Sequence, residues 1–172
     1  MQRTSSAQWL KCMGEFLRAF KCERFFTILP LRLMDYDMNS PTYSFDSRSY
    51  LIPVIKDYTK NEPLGFFTDN FLPLVSYLEN EMTKCGNEQI KAKKYETLMI
   101  QIWDCLPCYL ENPLDYNTKL GDLLPLLEQL VKTNTYGLRM TALKSFCTMI
   151  HYVKTTAKSI QSVKSARLGL MP

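Results

Sequence analysis

The chain has 172 residues, of which 46% are hydrophobic and 12% aromatic. This size and composition predict one folded domain and exclude an intrinsically disordered chain. No apolar run approaches the roughly 18 residues of a membrane span. Lys11, Glu15 and Arg18 interrupt the apolar positions near the N-terminus, so no secretory signal is predicted. We therefore expect a cytosolic or nuclear protein.

The net charge of +4 is distributed unevenly along the chain. Seven basic and no acidic residues follow Glu128, whereas the first 128 residues hold 14 basic and 17 acidic ones. A basic C-terminal quarter on a mildly acidic body favours an acidic partner, and RNA is the first candidate. A solvated helix face followed by a disordered tail is the alternative interpretation of the same charges.

Apolar residues recur at helical spacing along most of the chain, and no segment alternates with period two for long enough to predict a strand. The predicted helices span about residues 8–20, 23–34, 49–58, 70–84, 91–107, 122–132 and 136–154. Residues 35–47 are rich in turn formers and predict the longest internal loop. The predicted fold is all-α, with about seven helices in antiparallel hairpins over residues 1–155. Residues 156–172 are interpreted as a basic tail or as the start of a further helix without a partner.

A Leu-Pro-Leu phrase recurs three times, each time after a residue type that caps helices. Because proline is tolerated in a first turn and costs roughly 3 kcal/mol in a helix interior, each phrase predicts a helix start. The predicted N-caps are Thr27, Asn70 and Asp122, and the predicted first-turn prolines are Pro30, Pro73 and Pro125. Pro53 fits the same pattern with one residue more. Helices that start in one recurring way favour a solenoid of stacked hairpins over a single bundle.

The hairpin over residues 118–153 is the most repeat-like part of the chain. Its first helix carries Leu124-Pro125-Leu126, and its second carries Leu138-Arg139-Met140-Thr141-Ala142-Leu143, which resembles the two-helix signature of a HEAT repeat. We expect a core residue at Trp103 in the preceding helix. Within the hairpin, the predicted core residues are Leu126, Leu130, Leu143, Phe146 and Ile150.

Residues with catalytic or metal-binding chemistry are few. Cys105-Leu106-Pro107-Cys108 could be a redox pair or half of a zinc site, but it follows an amphipathic helix rather than a strand, and a zinc site needs two further ligands. We interpret both cysteines as buried small hydrophobic residues. His151 is the only histidine, and no nucleophile motif accompanies it, so a structural or exposed role is expected. No catalytic residue, metal, cofactor or small-molecule substrate is predicted.

Two further phrases are more specific than helix patterning. Tyr50 to Tyr58 is followed by Leu64-Gly65-Phe66-Phe67, which we interpret as a connection whose two aromatics fill the contact between hairpins. A Tyr-x-Thr-Leu-x-x-Gln-x-Trp-x-x-Leu-Pro helix then covers Tyr95 to Pro107. This order resembles the ribosomal RNA processing protein twelve family of large HEAT-repeat ribosome biogenesis factors, over about residues 47–150. The positions that match the family's motifs, with a structural role implied, are Asp57, Gly65, Phe66, Phe67, Pro73, Trp103 and Pro107.

The resemblance implies a non-enzymatic scaffold of the nucleolus and nucleus, with shuttling to the cytoplasm, that supports pre-rRNA processing and nuclear export of pre-ribosomal subunits. The implied partners are pre-ribosomal RNA, ribosome assembly factors and the Ran GTPase. Since family members are much longer, we expect this chain to be a fragment. The residues predicted to contact RNA phosphates are Lys144, Lys154, Lys158, Lys164 and Arg167, whereas Arg139 is expected either to project toward solvent or to bond to an adjacent hairpin. The alternative function is a karyopherin-like transport adaptor that binds protein cargo or Ran.

Overall fold

The computed structural model describes residues 2–33, 48–133 and 135–168, and within them the chain is helical with no strand. The elements in chain order are α1 (Gln2–Ile28), a 3-10 helix (Ser49–Leu51), α2 (Ile52–Tyr58), α3 (Leu64–Lys84), α4 (Gln89–Trp103), α5 (Leu106–Tyr109), α6 (Tyr116–Lys132) and α7 (Tyr136–Leu168). The all-α prediction is confirmed. The loop predicted over residues 35–47 lies outside the described residues. Among the described helices, none is both long and apolar enough to cross a membrane.

The helices stack in three consecutive layers. In the first layer α1 packs on α2, in the second α3 packs on α4, and in the third α6 packs on α7. Neighbouring layers are also in contact, since α2 packs on α4, α3 on α6 and α4 on α7, while the short α5 contacts α3 and α7. Stacked hairpins of this kind form a HEAT-like α-solenoid, as the sequence predicted. The predicted antiparallel pairing of the last two helices is confirmed, because only three residues separate the end of α6 at Lys132 from the start of α7 at Tyr136 and the two helices pack on each other.

One continuous apolar core runs through the three layers. Each of the larger helices contributes to it, for example Phe25 from α1, Ile55 from α2, Phe71 from α3 and Leu127 from α6, all at most 1% exposed. Trp103 at the end of α4 is 4% exposed, so its predicted burial is confirmed. A core shared between layers means that no hairpin is an independent unit.

Helix α1 is divided at Lys21, whose φ of 65° and ψ of 164° are not helical. The sequence predicted two helices here, ending at residue 34, whereas the second segment ends at Ile28. Thr27 is not an N-cap: it lies in the last turn of α1, where its hydroxyl donates to the Glu23 carbonyl at 2.8 Å. Pro30 follows the helix instead of starting one, so this part of the proline prediction is wrong.

The prediction that Pro73 and Pro125 lie in first turns is also wrong. Helix α3 begins at Leu64 and α6 at Tyr116, so each proline is the tenth residue of its helix. Both prolines are exposed, and so are Asp69 and Gly121, which lie four residues before them. Because proline has no N–H, the carbonyls of Asp69 and Gly121 lose their helical hydrogen bond, and they can bond to water instead. Exposure therefore explains how a proline is tolerated in each helix interior. Pro53 lies in the first turn of α2, as predicted.

The register of α7 also differs from the prediction. Leu130 is buried, and Leu126 and Phe146 pack against the core, but Leu143 and Ile150 are 48% and 53% exposed. The buried residues of α7 are instead Leu138, Thr141, Ala142, Ser145 and Met149. Three of these side chains are small, which allows α7 to approach the core closely. The Ser145 hydroxyl donates to the Thr141 carbonyl at 2.9 Å, so its burial leaves no donor unsatisfied.

Candidate nucleic-acid interface

The Gly65-Phe66-Phe67 phrase lies in the first turn of α3, not in a connection between helices. Asp115, the N-cap residue of α6, caps this turn from the next layer: its two carboxylate oxygens accept the N–H groups of Leu64 at 2.5 Å and Gly65 at 2.8 Å. A negative charge at a helix N-terminus also interacts favourably with the helix dipole. One aspartate therefore joins the starts of α3 and α6.

Gly65 suits this close approach. A Cβ atom at this position would lie 3.0 Å from the Asp115 carboxylate and 3.1 Å from Cε of Lys119. Lys119 in turn forms an ion pair with Asp69 of α3 at 3.7 Å. The family phrase therefore has glycine where two layers meet.

The two phenylalanines of the phrase have different roles in packing. Phe67 is fully buried, with its ring 5.8 Å from that of Trp103 and 5.6 Å from that of Tyr109. Phe66 is half-buried and stacks on Phe26 of α1 with a ring separation of 5.6 Å. Together they connect α3 to α1 of the first layer and to α4 and α5, which agrees with their expected role between hairpins even though they belong to a helix.

Asp104, just after α4, connects α7 to the second layer and to α2. One carboxylate oxygen accepts the hydroxyl of Thr141, and the other pairs with Lys56 Nζ at 3.3 Å. Thr141 is buried, so this bond fixes the rotation of α7 about its axis. That rotation decides which side chains of α7 face solvent.

The basic residues of α7 lie on its solvent side. Lys144, Lys154 and Lys158 are exposed, and their spacing places them within about 80° of one another around a helix of 3.6 residues per turn. Arg139 is exposed as well. Lys164 and Arg167 belong to the last turns of α7, but their side chains lie outside the described part of the structure. The helix continues without interruption from residue 155 through Leu168, so residues 156–168 extend α7 and do not begin another helix.

Three family-motif positions lie away from this surface. Asp57 is exposed in α2, and Pro107 lies in the first turn of α5, where it ends α4 as expected for a proline after that helix. Pro73 faces solvent on α3. Among the described side chains, no contact joins any of these three residues to the basic residues of α7.

The cysteine pair is not arranged for thiolate chemistry. Cys105 is fully buried, and burial raises the pKa of its thiol strongly. Burial also raises the pKa of Cys108 to about 11, and its thiol donates to the Lys56 carbonyl at 2.8 Å. Both thiols are therefore protonated at neutral pH. Among the described residues, no group of three or more histidines, cysteines and carboxylates could hold a metal ion.

His151 is exposed on α7, as expected of a histidine without catalytic context. It lines a shallow cleft of about 550 Å³ together with Glu111, Cys147 and Tyr152. No nucleophile hydrogen-bonded to His151 occurs among the described side chains, so the cleft has no base–nucleophile pair.

Sequence reasoning missed the acidic residues that join the layers. Asp115, Asp104 and Glu62 occupy turns or helix ends, where a lone carboxylate is ordinarily solvated, and their partners are distant in sequence. One local signal existed for two of them. Asn61 precedes Glu62 and Asn112 lies shortly before Asp115, and both asparagines have a φ of 54°, the left-handed conformation typical of helix ends.

The fold and the basic face define an α-helical repeat protein of stacked hairpins, without an assembled active site among the described residues. The chain matches the family described as Ribosomal RNA-processing protein 12, HEAT repeats, over residues 3–169, and it belongs to that family. It is 31% identical over 145 residues to the RRP12-like protein of Gallus gallus, covering 83% of this chain and 11% of that protein. It is 32% identical over 120 residues to the RRP12-like protein of Homo sapiens, covering 68% of this chain and 9% of that protein.

A fungal relative is also similar. The Ribosomal RNA-processing protein 12 of Saccharomyces cerevisiae is 30% identical over 86 residues, which is 50% of this chain and 7% of that protein. The chain therefore spans about a tenth of the length of the relatives it matches, as the resemblance to a much longer family implied.

Proposed function

We propose that this chain is a non-enzymatic segment of a HEAT-repeat scaffold that supports ribosomal RNA processing by contacting RNA phosphates through α7. Membership in the Ribosomal RNA-processing protein 12 family supports the proposed role in ribosomal RNA processing, because the relatives are named for that process. The proposed partners are pre-ribosomal RNA and ribosome assembly factors, and the proposed location is the nucleolus and nucleus. A contribution to nuclear export of pre-ribosomal subunits is part of the same proposal.

The observation that carries the RNA contact is the exposed basic face of α7, formed by Lys144, Lys154 and Lys158. Several other lysines of the chain are paired with carboxylates, for example Lys132 with Glu128 at 2.7 Å and Lys93 with Glu96 at 2.6 Å. The α7 lysines have no acidic neighbour along their own helix, because no acidic residue follows Glu128. A row of cations without carboxylates along one rigid helix is suited to following a phosphate backbone.

Salt dependence tests this proposal. Each phosphate contact with single-stranded RNA contributes about 0.7 to the slope of log affinity against log salt. Replacing Lys144, Lys154 and Lys158 together by glutamine should therefore lower that slope by about 2. The measurement is a fluorescence titration of a labelled pre-ribosomal RNA fragment at several salt concentrations. A second variant, Lys164→Gln with Arg167→Gln, tests the other two predicted contacts.

The matched control replaces three exposed lysines elsewhere, Lys11, Lys93 and Lys132, by glutamine. It changes the net charge by the same amount as the triple variant of α7. If RNA binding is confined to α7, the slope of log affinity against log salt should therefore remain nearly unchanged in this control. Equal slopes for the two triple variants would contradict the proposed interface. Salt-insensitive binding to Ran or to a cargo peptide, with no RNA binding, would favour the transport-adaptor alternative instead.

A further inference from the structure

A cleft of about 600 Å³ opens where α1 ends and where α3 and α6 begin. The side chains that define its chemistry are Glu23, Phe26, Phe66, Asp69, Asp115 and Lys119. We call it the three-layer cleft, because α1, α3 and α6 belong to the first, second and third layers of the stack. It is separate from the basic face of α7, since none of the described lysines of α7 lines it.

The three-layer cleft lies along the side of the stack and not at one of its ends. Its walls come from all three layers, so the neighbours that form it are already present in the chain. A further repeat would stack on the outer face of the first or the third layer, because the hairpins of a solenoid contact only their neighbours. Such a repeat would leave this cleft open, with the carboxylates of Glu23 and Asp69 exposed as they are here.

The floor of the cleft is aromatic. Phe26 and Phe66 are half-buried, and their rings stack at a centroid separation of 5.6 Å. Phe66 also stacks on the buried Tyr109 at 6.3 Å, so its ring is held by packing against two other rings. A fixed apolar floor that remains partly exposed suits the methylene stem of a long side chain.

The charge around this floor is negative. Three carboxylates line the cleft, those of Glu23, Asp69 and Asp115, and among the described residues that line it Lys119 is the only cation. Lys119 pairs with Asp69 at 3.7 Å and can therefore compensate one of the three carboxylates. Asp115 already accepts two N–H groups at the N-terminus of α3, which is where a phosphate would otherwise bind. The cleft therefore favours a cation and disfavours RNA.

We propose that the three-layer cleft binds a basic side chain, arginine or lysine, of a peptide segment from a partner protein. The exposed carboxylates of Glu23 and Asp69 bind the charged end of that side chain, and its stem lies against Phe26 and Phe66. This site goes beyond the RNA contact proposed for α7, because it differs from that surface in charge, in position and in partner.

The test uses the whole chain, labelled with ¹⁵N, and three capped peptides of equal length. One central position in a Gly-Ser sequence carries arginine, citrulline or diaminopropionate: citrulline has the shape of arginine without its charge, and diaminopropionate has a charge without the long stem. Amide shifts during each titration give the affinity and the place of binding. We expect the arginine peptide to shift the amides of Gly65, Phe66 and Asn70 and to bind at least about fivefold more tightly than either of the others.

The cleft variant is Glu23→Gln with Asp69→Asn. The control variant is Glu79→Gln with Asp122→Asn, which removes the same charge from exposed positions outside the cleft. The cleft variant should bind the arginine peptide about fivefold more weakly or worse, whereas the control variant should bind it as the wild-type chain does.

Three results would overturn the proposal. The first is the absence of amide shifts with any of the peptides. The second is equal weakening in the two variants or equal binding of the diaminopropionate peptide, since either would reduce the interaction to general charge attraction. The third is a pre-ribosomal RNA fragment that shifts the same amides and displaces the arginine peptide, because RNA would then be the occupant of the cleft.

Discussion

The two proline-containing hairpins, α3/α4 and α6/α7, follow the same internal register but have different surroundings. In α3 the residues two before, two after and five after Pro73 are buried, and the same three positions around Pro125 are buried in α6. The second helices differ: from Ala92 onward the apolar residues of α4 are buried or partly buried, whereas Leu143, Ile150, Val153 and Ile160 of α7 are about half exposed. The shared register of α3 and α6 thus follows from their similar local sequences, but the position of a helix in the stack determines which apolar face becomes core.

The largest expected contrast between the two hairpins is at Trp103 and Ile150. Trp103→Ala empties a core site and should lower the free energy of unfolding by about 3–5 kcal/mol. Ile150→Ala, at an exposed position of α7, should change it by no more than about 0.5 kcal/mol. Urea denaturation followed by circular dichroism measures both.

Trp103→Phe sharpens this result. It keeps an aromatic ring in the core and removes the indole N–H, which is buried without an acceptor among the described atoms. Its cost should therefore be clearly smaller than that of Trp103→Ala. A large loss for Ile150→Ala would show that α7 is covered in the folded chain and would contradict the contrast.

The sequence predicted the helices well because the apolar period is strong, and it predicted the class of fold from the recurrence of hairpins. It placed the starts of α3 and α6 too late because Pro73 and Pro125 were interpreted as first-turn residues. That inference assumes that a proline in a helix interior always carries its full cost, and solvent exposure of the freed carbonyls lowers it. The start of α3 is capped by Asp115, which lies in the next layer, and no local pattern shows this contact.

The register of α7 could not be predicted for a related reason. Its apolar residues cover more than one face, so periodicity alone allows several rotations. The bond between Thr141 and Asp104, together with the small buried residues Ala142 and Ser145, selects one of them. The candidate RNA contacts depend on charge alone, and the sequence did indicate the basic helix but not which of its residues lie together.

The second expected effect separates the two candidate caps. Asp115→Ala removes the acceptor of two N–H groups at the start of α3 and should cost about 1–2 kcal/mol. Asp122→Ala should cost no more than about 0.5 kcal/mol, because Asp122 is exposed within α6 and caps nothing. Thermal unfolding of the two variants is sufficient to measure this. If Asp122→Ala were the more damaging variant, α6 would begin at Asp122 and not at Tyr116.

The third effect tests whether the two prolines are equivalent. Pro73→Ala and Pro125→Ala each restore a backbone donor in an exposed helix interior, where proline is about 3 kcal/mol less favourable than alanine. A more flexible unfolded chain offsets part of that gain, by about 0.4–1 kcal/mol. Because the helices have adapted to proline, we expect each variant to be stabilised by about 1 kcal/mol. A loss for one proline only, measured in urea, would show that its hairpin requires the bend.

The smallest expected effect on stability concerns Glu62, which precedes α3 as Asp115 precedes α6. Glu62 is buried and accepts the Cys22 N–H at 3.3 Å, at the break in α1. Burial raises the pKa of its carboxyl above the ordinary value near 4.5, against the opposing influence of Lys21, 3.8 Å away. The folded protein therefore holds this proton more tightly than the unfolded chain, so ionisation of Glu62 lowers stability as pH rises through that window.

Glu62→Gln tests this assignment, since it keeps an acceptor for the Cys22 N–H and cannot ionise. Relative to this variant, the wild-type chain should be equally stable or more stable near pH 4 and should become progressively less stable toward pH 7, by denaturation at each pH. Lys21→Met should make that decline steeper, because it removes the cation that favours the carboxylate. A difference between wild type and Glu62→Gln that is constant with pH would contradict this assignment, because it would mean that Glu62 ionises equally easily in the folded and unfolded chain.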